Sequence, residues 1–375
     1  MNRIGLALQK MGCSRRSNND VMTERSLAIA ALPAVRGGLL ALLAAALFGV
    51  STPLVQHFGR GLGAFTTACL LYAGAAAVGA ISRQRAQKEA RLLRSDLPRL
   101  FLMAAFGAVI GPVALAWGLQ HTSGTSASLM LTLEALFTAV LARLMYREMM
   151  GKRVWGAMLL LLAGGLALVI DQGLSGGVQL WGLLAVLLAT AAWGTDNTLS
   201  RGLAERDPSQ VVLGKAVLGA VATALLAWAF GERLPALDSA VILLVVGATG
   251  YGLSQRFYLL AQRAFGAART GSVFACAPFI GAAFAIALGD RSGSWIMLAG
   301  GALMLTGVAL HLEESHGHEH RHGTLDHEHA HTHDDGHHDH VHDDFERSSH
   351  SHRHVHTPLL HKHAHVPNAH HRHEH

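Results

Sequence analysis

The run GLLALLAAALFGVSTPL, residues 38–54, returns in altered form as GLLAVLLATAAWGTDNTL at residues 182–199. Both runs consist mostly of Leu, Ala and Gly, and a lipid bilayer core needs about 20 consecutive apolar residues per helix. Each run is therefore predicted to belong to a transmembrane helix. Their recurrence also predicts an internal repeat in the chain.

Ten apolar segments of this kind follow one another with short connections. They cover residues 37–56, 62–82, 98–118, 124–145, 153–170, 178–200, 210–230, 238–259, 267–288 and 293–312. Irregular backbone cannot face lipid, and the many small residues inside the segments let membrane helices approach closely. The sequence therefore predicts an all-α membrane protein with ten transmembrane helices.

The composition excludes other classes of protein. Hydrophobic residues make up 51% of the chain and charged residues 15%, against roughly 25% charged residues in a soluble domain. The basic residues lie between apolar runs, which points to a lipid bilayer and not to nucleic acid as the partner. The three cysteines show no paired spacing, so neither a disulfide framework nor a thiolate metal site is indicated.

The distribution of Lys and Arg sets the predicted orientation. The N-terminal arm (residues 1–36) and the even-numbered loops hold 20 of these residues, and the odd-numbered loops hold three. By the positive-inside rule, both termini are expected on the cytoplasmic side of the membrane. The membrane is expected to be the inner, cytoplasmic membrane of the cell. The arm is basic and polar and lacks a long apolar core, so no cleavable secretory signal is expected.

Several landmarks recur in order along the two copies. An offset of 142 relates the pairs Gln120 and Gln262, Gly124 and Gly266, Phe137 and Phe279, and Glu148 and Asp290. Each copy, residues 37–170 and 178–311, contains five spans, an odd number, so the two must be inserted in opposite senses. Inverted repeats are typical of transporters, which place the substrate site near the midplane between the halves.

Three motifs resemble the EamA-like domain of the drug/metabolite transporter superfamily. They are FGVSTPL in the first span, LEALFTAVLARLMYRE (133–148) at the fourth, and the glycine-rich closing helices LLLLAGGLALVI (159–170) and MLAGGALMLTGVAL (297–310). The resemblance covers about residues 37–311 in two copies. It implies ten helices, cytoplasmic termini and secondary transport of a small solute by alternating access. The chain departs from the family pattern at Ala135, where a proline is usual, and no acid precedes Pro278 of the second copy.

Ionisable and polar residues inside the spans are the candidate transport residues, because each is costly in lipid unless it faces a cavity or a partner. Glu134, near the middle of the fourth span, could load and release a proton or bond a neighbouring helix. Asp196 and Asn197 lie where the second copy matches Ser51 and Thr52 of the first, so all four could face one cavity. Asp196 could instead pair with the nearby Arg201.

Other candidates are weaker. Arg256 could bind an anionic group of the substrate or snorkel to the membrane interface, and Lys215 is expected to snorkel. His57 and His121, near outer helix ends, could form a metal contact. Four aromatic residues could line a solute path or pack in the bundle: Trp117, Trp193, Tyr251 and Phe279.

The C-terminal tail, residues 312–375, differs from the rest of the chain. Of the 26 histidines, 24 lie from His311 onward, mostly with HxH spacing and without apolar periodicity, so the tail is predicted to be disordered. Imidazole binds nickel, cobalt, zinc and copper. The predicted metal ligands are His316, His318, His320, His322, His327, His329, His331, His333, His337, His338, His340, His342, His350, His352, His354, His356, His361, His363 and His365.

Three functions follow from these features. The first is a secondary transporter of a small solute with a metal-binding tail, the second a transporter of a divalent metal ion or its chelate, and the third a membrane-tethered metal buffer or sensor. No span contains a ligand cluster with metal spacing, which disfavours the second. No Walker-type GxxxxGK[ST] loop is present to bind ATP, no cofactor is expected to be required, and no enzymatic activity is predicted.

Overall fold

Helices make up most of the described chain up to residue 312. The computed structural model describes residues 33–82, 90–146, 151–203, 206–265, 267–312, 316–321, 325–331, 350–356 and 360–365. The α-helices of this part are α1 (Pro33–Phe58), α2 (Ala64–Ile81), α3 (Leu97–Ala104), α4 (Gly111–Leu119), α5 (Gly124–Met130), α6 (Leu133–Tyr146), α7 (Lys152–Ser175), α8 (Gly177–Ser200), α9 (Pro208–Ala229), α10 (Leu237–Val246), α11 (Ser254–Phe265), α12 (Ala267–Phe274), α13 (Ala277–Ala287) and α14 (Trp295–Leu312). Two π-helical segments, Ala105–Ile110 and Gly247–Leu253, join α3 to α4 and α10 to α11.

Eight helical segments of the described chain are long and apolar enough to cross a membrane. They are Val35–Phe58, Ala64–Ile81, Arg94–Leu119, Gly124–Met145, Lys152–Leu174, Gly177–Leu203, Pro208–Ala229 and Leu237–Ala264. Where the ninth and tenth spans were predicted, the apolar helices are shorter, Ala277–Ala287 and Trp295–Leu310. The ninth is short because a turn at residues 275–276 separates α12 from α13. Pro278 lies in the first turn of α13, and proline has no backbone N–H with which to continue the preceding helix.

The two π segments interrupt the third and the eighth span near their middles. Pro112 follows the first segment, and a proline ring crowds the carbonyl four residues earlier, here that of Ala108, so the helix widens. The second segment has the sequence GATGYGL, whose three glycines weaken the regular helix. Such π turns release backbone groups from the regular ladder and occur frequently at functional sites.

The four most extensive pairings of α-helices between the two halves of the bundle (residues 33–175 and 177–312) follow one pattern. Helix α2 packs along α9, α7 along α14, α1 against α11, and α8 against α4. If the spans are numbered one to five within each half, the second spans of the two halves pair with each other, and so do the fifth spans. Each first span pairs with the third span of the other half. Exchanging the two halves therefore leaves the pattern of pairings unchanged.

Glycines allow the closest of these approaches. A Cβ atom on Gly49 of α1 would collide with the carbonyl oxygen of Ala277, and one on Gly194 of α8 would lie 2.6 Å from the Cβ atom of Phe137. These contacts bring α1 against α13 and α8 against α6. Small residues are therefore required where the halves touch.

Loops of one half also bond the helix starts of the other half. The Glu232 carboxylate, which follows α9, accepts hydrogen bonds from the backbone N–H groups of Phe65 (3.2 Å) and Thr66 (2.6 Å) in the first turn of α2. At the opposite ends of these helices, Arg206, just before α9, forms an ion pair with Asp96 at 2.9 Å. Carboxylates near a helix N-terminus satisfy unpaired N–H groups and interact favourably with the helix dipole.

The described tail segments form four strands: β1 (His316–Arg321), β2 (Leu325–His331), β3 (His350–His356) and β4 (Leu360–His365). Strand β1 pairs with β4 and β2 with β3, both antiparallel. The prediction of a disordered tail is therefore not confirmed for these four segments. The tail lacks an apolar period, but histidine recurs at every second residue, which is the period of a strand.

Asp290 is predicted to stabilise the bundle from the loop after α13. Its carboxylate accepts hydrogen bonds from the backbone N–H (2.9 Å) and hydroxyl (2.8 Å) of Thr125 at the start of α5. Asp290→Ala is expected to cost about 1 kcal/mol, the usual loss for a helix cap, measured as a lower Tm of the purified protein in detergent. The control Asp238→Ala should change the Tm less, because that carboxylate bonds the N–H of the adjacent, exposed Ser239.

The same contact predicts a pH dependence. Burial raises the pKa of Asp290, but hydrogen bonds from Ser292 and Thr125 outweigh it and leave the pKa below its ordinary value. The stabilisation is then fully present above the unfolded pKa of about 3.9 and is lost as the pH falls through the lower folded value. The Tm difference between wild type and Asp290→Ala should be constant down to about pH 5 and shrink below about pH 4. An undiminished difference at about pH 2 would contradict this assignment.

Candidate functional site

A pair of opposite charges lies buried between α8 and α9. The Lys215 ammonium donates a hydrogen bond to the Asp196 carboxylate and forms an ion pair with it, and both residues are 2% exposed. Lys215 also donates to the side-chain oxygen of Gln255 on α11, at 3.0 Å. Removing two charges from water costs several kcal/mol per ion, so they remain buried only because they neutralise each other.

This ion pair corrects the expectation that Lys215 snorkels to the interface. Lys215 lies two turns inside α9 and faces Asp196 on the neighbouring antiparallel helix. Nineteen residues separate the two in sequence, and no local pattern links them. Of the alternatives for Asp196, the described partner is Lys215 and not Arg201.

The first π segment closes one side of the ion pair. Gly107 lies against it so closely that a Cβ atom there would overlap the Asp196 carboxylate and lie 2.8 Å from the Lys215 ammonium nitrogen. The carbonyl of Gly107 accepts hydrogen bonds from the indole N–H of Trp193 at 3.0 Å and from the hydroxyl of Tyr72. The π turn thus supplies a backbone acceptor to side chains from both halves.

Glu134 lies next to the ion pair, in the first turn of α6. The amide of Asn197 donates a hydrogen bond to its carboxylate, and Glu134 is half-buried. A turn at residues 131–132 separates α5 from α6 immediately before it. Three of the predicted site residues, Glu134, Asp196 and Asn197, are therefore brought together from the two halves.

The remaining predicted site residues lie elsewhere. Ser51 and Thr52 are buried, the Ser51 hydroxyl donates to the carbonyl of Phe48 at 2.6 Å, and a Cβ atom on Gly250 of the second π segment would overlap Ser51. Arg256 donates to the hydroxyl of Ser209 (3.3 Å) at the start of α9. In the described part of the chain, none of these three side chains forms a hydrogen bond with the Asp196 carboxylate.

Ser51 nevertheless occupies the place that corresponds to Asp196. Each lies against a glycine of a π segment, Ser51 against Gly250 and Asp196 against Gly107, and each is on the first span of its half. One half therefore has a charged residue at this place and the other a hydroxyl. At this place the backbone arrangement is the same in the two halves, but the charge of the side chain differs.

Aromatic rings surround the neighbourhood of the ion pair. Six of them contact one another: Phe48, Tyr72, Trp193, Tyr251, Tyr258 and Phe274. Phe48 is central, with ring centroids 5.4 Å from Trp193, 5.8 Å from Tyr251 and 5.5 Å from Phe274. Edge-on and tilted contacts at these distances add to the energy of apolar burial. The sequence indicated Trp193 and Tyr251 but gave no signal for the other four.

The other two predicted aromatic residues have different positions. Trp117 is 42% exposed and stacks on His121 at a centroid distance of 4.2 Å. Phe279 is half-buried and packs against the hydrophobic core. Neither is among the six rings around Phe48.

Two cavities open near the helix ends that the charge pattern predicts to face outward. Their volumes are about 680 and 500 Å³. Both are lined by Gln56, Arg60, Thr122 and Ser123, so they adjoin one another; His121 lines the larger and His57 the smaller. Among the side chains that the structure describes, no group of three or more His, Cys, Asp or Glu is arranged to hold a metal ion.

Of the short strings that match enzyme motifs in letters, two lie wholly within the described residues, and neither matches in structure. GLSGG (173–177) has the GxSxG pattern, but it joins helix α7 to helix α8, whereas a nucleophile elbow joins a strand to a helix. HEHAH (327–331) has the HExxH pattern, but it lies on strand β2, whereas the zinc motif needs a helix to place both histidines on one face. Neither string has the surroundings that its chemistry requires.

Comparisons with known proteins give a family, a similar sequence and a similar fold. The model of the EamA-like transporter family matches residues 35–170 and again residues 180–312. The chain is similar to a protein of Methanothermobacter thermautotrophicus (strain Delta H) described as an uncharacterized transporter, with 29% identity over 237 residues, 62% of this chain and 68% of that protein. A solved crystal structure superposes with a TM-score of 0.56 at 16% identity, over 74% of this chain and 97% of the other. At that identity the structural likeness concerns the fold alone.

The buried ion pair predicts a characteristic pattern of stability. Asp196→Asn and Lys215→Met should each destabilise the protein by about 3 kcal/mol, because each leaves one buried charge without a partner. The double variant should recover much of this loss, measured as Tm in detergent in a double-mutant cycle. The control is the partly exposed pair of Asp96 and Arg206, where single substitutions should cost less than about 1 kcal/mol. Additive losses at Asp196 and Lys215 would contradict the pairing.

Proposed function

Because the chain belongs to the EamA-like transporter family, we propose that it carries a small solute across the cytoplasmic membrane by alternating access. The observation that carries this proposal is the polar cluster between the two halves. Asp196, Asn197 and Lys215 of the second half meet Glu134 and the Gly107 backbone of the first half. Polar groups held between repeats deep in an apolar bundle are typical of a transport site.

Ten spans in two inverted repeats fit this function. In this arrangement α12 with α13 forms the ninth span and α14 the tenth. It is supported by the two family matches, by helix pairings that survive exchange of the halves, and by the recurrence of a π segment in the third span of each half. Rocking of one half against the other about the central cluster would then open the site alternately to the two sides.

Glu134 is the proposed coupling residue. Asp196 is already neutralised by Lys215, whereas no ion pair to Glu134 is found among the described residues. A half-buried carboxylate without a cationic partner can bind either a proton or a cationic group of the solute. Its hydrogen bond from Asn197 couples it to the helix that also bears Asp196.

The Lys and Arg distribution supports cytoplasmic termini and therefore a cytoplasmic tail. We propose that this tail binds divalent nickel, cobalt, zinc or copper through its imidazoles. It would act as a metal-responsive accessory to the transport domain, since it lies outside the bundle. If the solute is itself a metal ion or its chelate, the tail would hold ions at the inner mouth.

Transport through the Glu134 site is tested by cell metal content and by pH dependence. Cells expressing the full-length chain, a form stopped after Leu312, Glu134→Gln or the exposed control Asp238→Asn are loaded with nickel, cobalt or zinc at matched membrane expression. Elemental mass spectrometry gives the metal content, and mass spectrometry of small metabolites in the same cells gives organic solutes. We expect one solute to change with the full-length chain and Asp238→Asn, and to revert with Glu134→Gln.

The identity of the shifted solute decides between metal and organic cargo. In proteoliposomes supplied with that solute, wild-type transport should vary with pH and Glu134→Gln transport should not. Unchanged pH dependence in Glu134→Gln would remove Glu134 from coupling. A metal content that follows the amount of tail and ignores Glu134 would make the tail a passive store.

A further inference from the structure

The pairing register of the tail strands places histidine opposite histidine. In the ladder of β1 and β4, the opposed residues are His316 and His365, His318 and His363, and His320 and His361. In the ladder of β2 and β3, they are His327 and His354, His329 and His352, and His331 and His350. Both ladders follow one continuous register, which runs from His316 opposite His365 to His331 opposite His350.

The residues between the histidines support this register independently. Glu319 is opposite Lys362 in the first ladder, and Glu328 is opposite Arg353 in the second. Opposite charges across an antiparallel pair favour the register that aligns them. A slip of one residue would separate both charge pairs and leave every histidine opposite another residue type.

We propose that divalent metal ions bind between these strands, each held by opposed histidines from the two ends of the tail. Residues directly opposite in an antiparallel ladder have Cβ atoms about 4.5–5.5 Å apart, a spacing that two imidazoles on one ion can span. Neighbouring pairs on the same face of a ladder raise the number of available nitrogens to four. The ligand class is a borderline transition metal ion such as Ni²⁺ or Zn²⁺.

The proposal rests on the proposed metal binding of the tail and adds its geometry. A single HxH segment would bind an ion with histidines that are near in sequence. In the cross-strand arrangement, residues 316–331 and 350–365 need each other, and the metal closes the tail upon itself. Metal binding and strand pairing then stabilise each other, because the ligands are brought together only in the paired form.

Titration of the purified full-length protein with Ni²⁺ by isothermal calorimetry tests the arrangement. Three variants each replace three histidines of one strand by alanine: His316, His318 and His320 in β1, His361, His363 and His365 in β4, and His350, His352 and His354 in β3. Two combined variants, β1 with β4 and β1 with β3, remove the same number of histidines. The form stopped after Leu312 measures binding by the remainder of the chain.

Cross-strand sites predict that β1 with β4 loses no more bound Ni²⁺ than either single variant, since both strands serve the same ions. They also predict that the combined β1 and β3 variant loses as much bound Ni²⁺ as its two single variants together, since these strands belong to different ladders. Equal, additive losses in both combined variants would overturn the cross-strand sites while leaving metal binding by the tail intact. Equal Ni²⁺ binding by the full-length and stopped forms would overturn tail binding and the cross-strand sites together, without bearing on transport by the bundle.

Discussion

Asp196 and Lys215 form an ion pair in the middle of an apolar bundle, and the surrounding structure depends on keeping it together. Either charge alone would be strongly unfavourable there, whereas the pair with Gln255 leaves little net charge to solvate. The pair fixes α8 relative to α9 and α11. It also requires a residue without a side chain at position 107, which the first π segment provides. The neutralisation of the buried charges and their close packing against the first π segment therefore occur at the same place.

The ion pair occurs in one half of a bundle whose halves otherwise match. Ser51 lies against Gly250 where Asp196 lies against Gly107, so the backbone arrangement repeats and the charge does not. The two corresponding places of the central cluster therefore differ in charge. Glu134 and Asn197 lie beside the charged side, while the corresponding place of the first half contributes the Ser51 hydroxyl. A solute between the halves would meet different chemistry on its two sides.

The bundle and the tail are stabilised by different means. In the bundle, small residues allow close helix contacts, and cross-half carboxylates such as Glu232 and Asp290 satisfy helix starts. In the tail, apolar residues are few, and the described strands pair through backbone hydrogen bonds between segments far apart in sequence. Two-stranded ladders are marginally stable in water. Ligands that bind both strands, as proposed above for divalent metal ions, would stabilise such a tail and make its conformation responsive to metal.

The sequence by itself determined the helical membrane fold, the internal repeat and the position of Glu134, Asp196 and Asn197 within apolar spans, because span length, apolar composition and the residue types inside a span are local properties. Only the tertiary structure decided that Lys215 is a buried partner of Asp196, that Trp193 and Tyr251 join an aromatic cluster around Phe48, and that Arg256 bonds Ser209. The tail divides in the same way, since the HxH spacing is visible in the sequence and the register that opposes histidine to histidine is not. The reason is physical: each of these contacts joins residues that are distant along the chain, and their meeting depends on how whole helices and strands pack and pair.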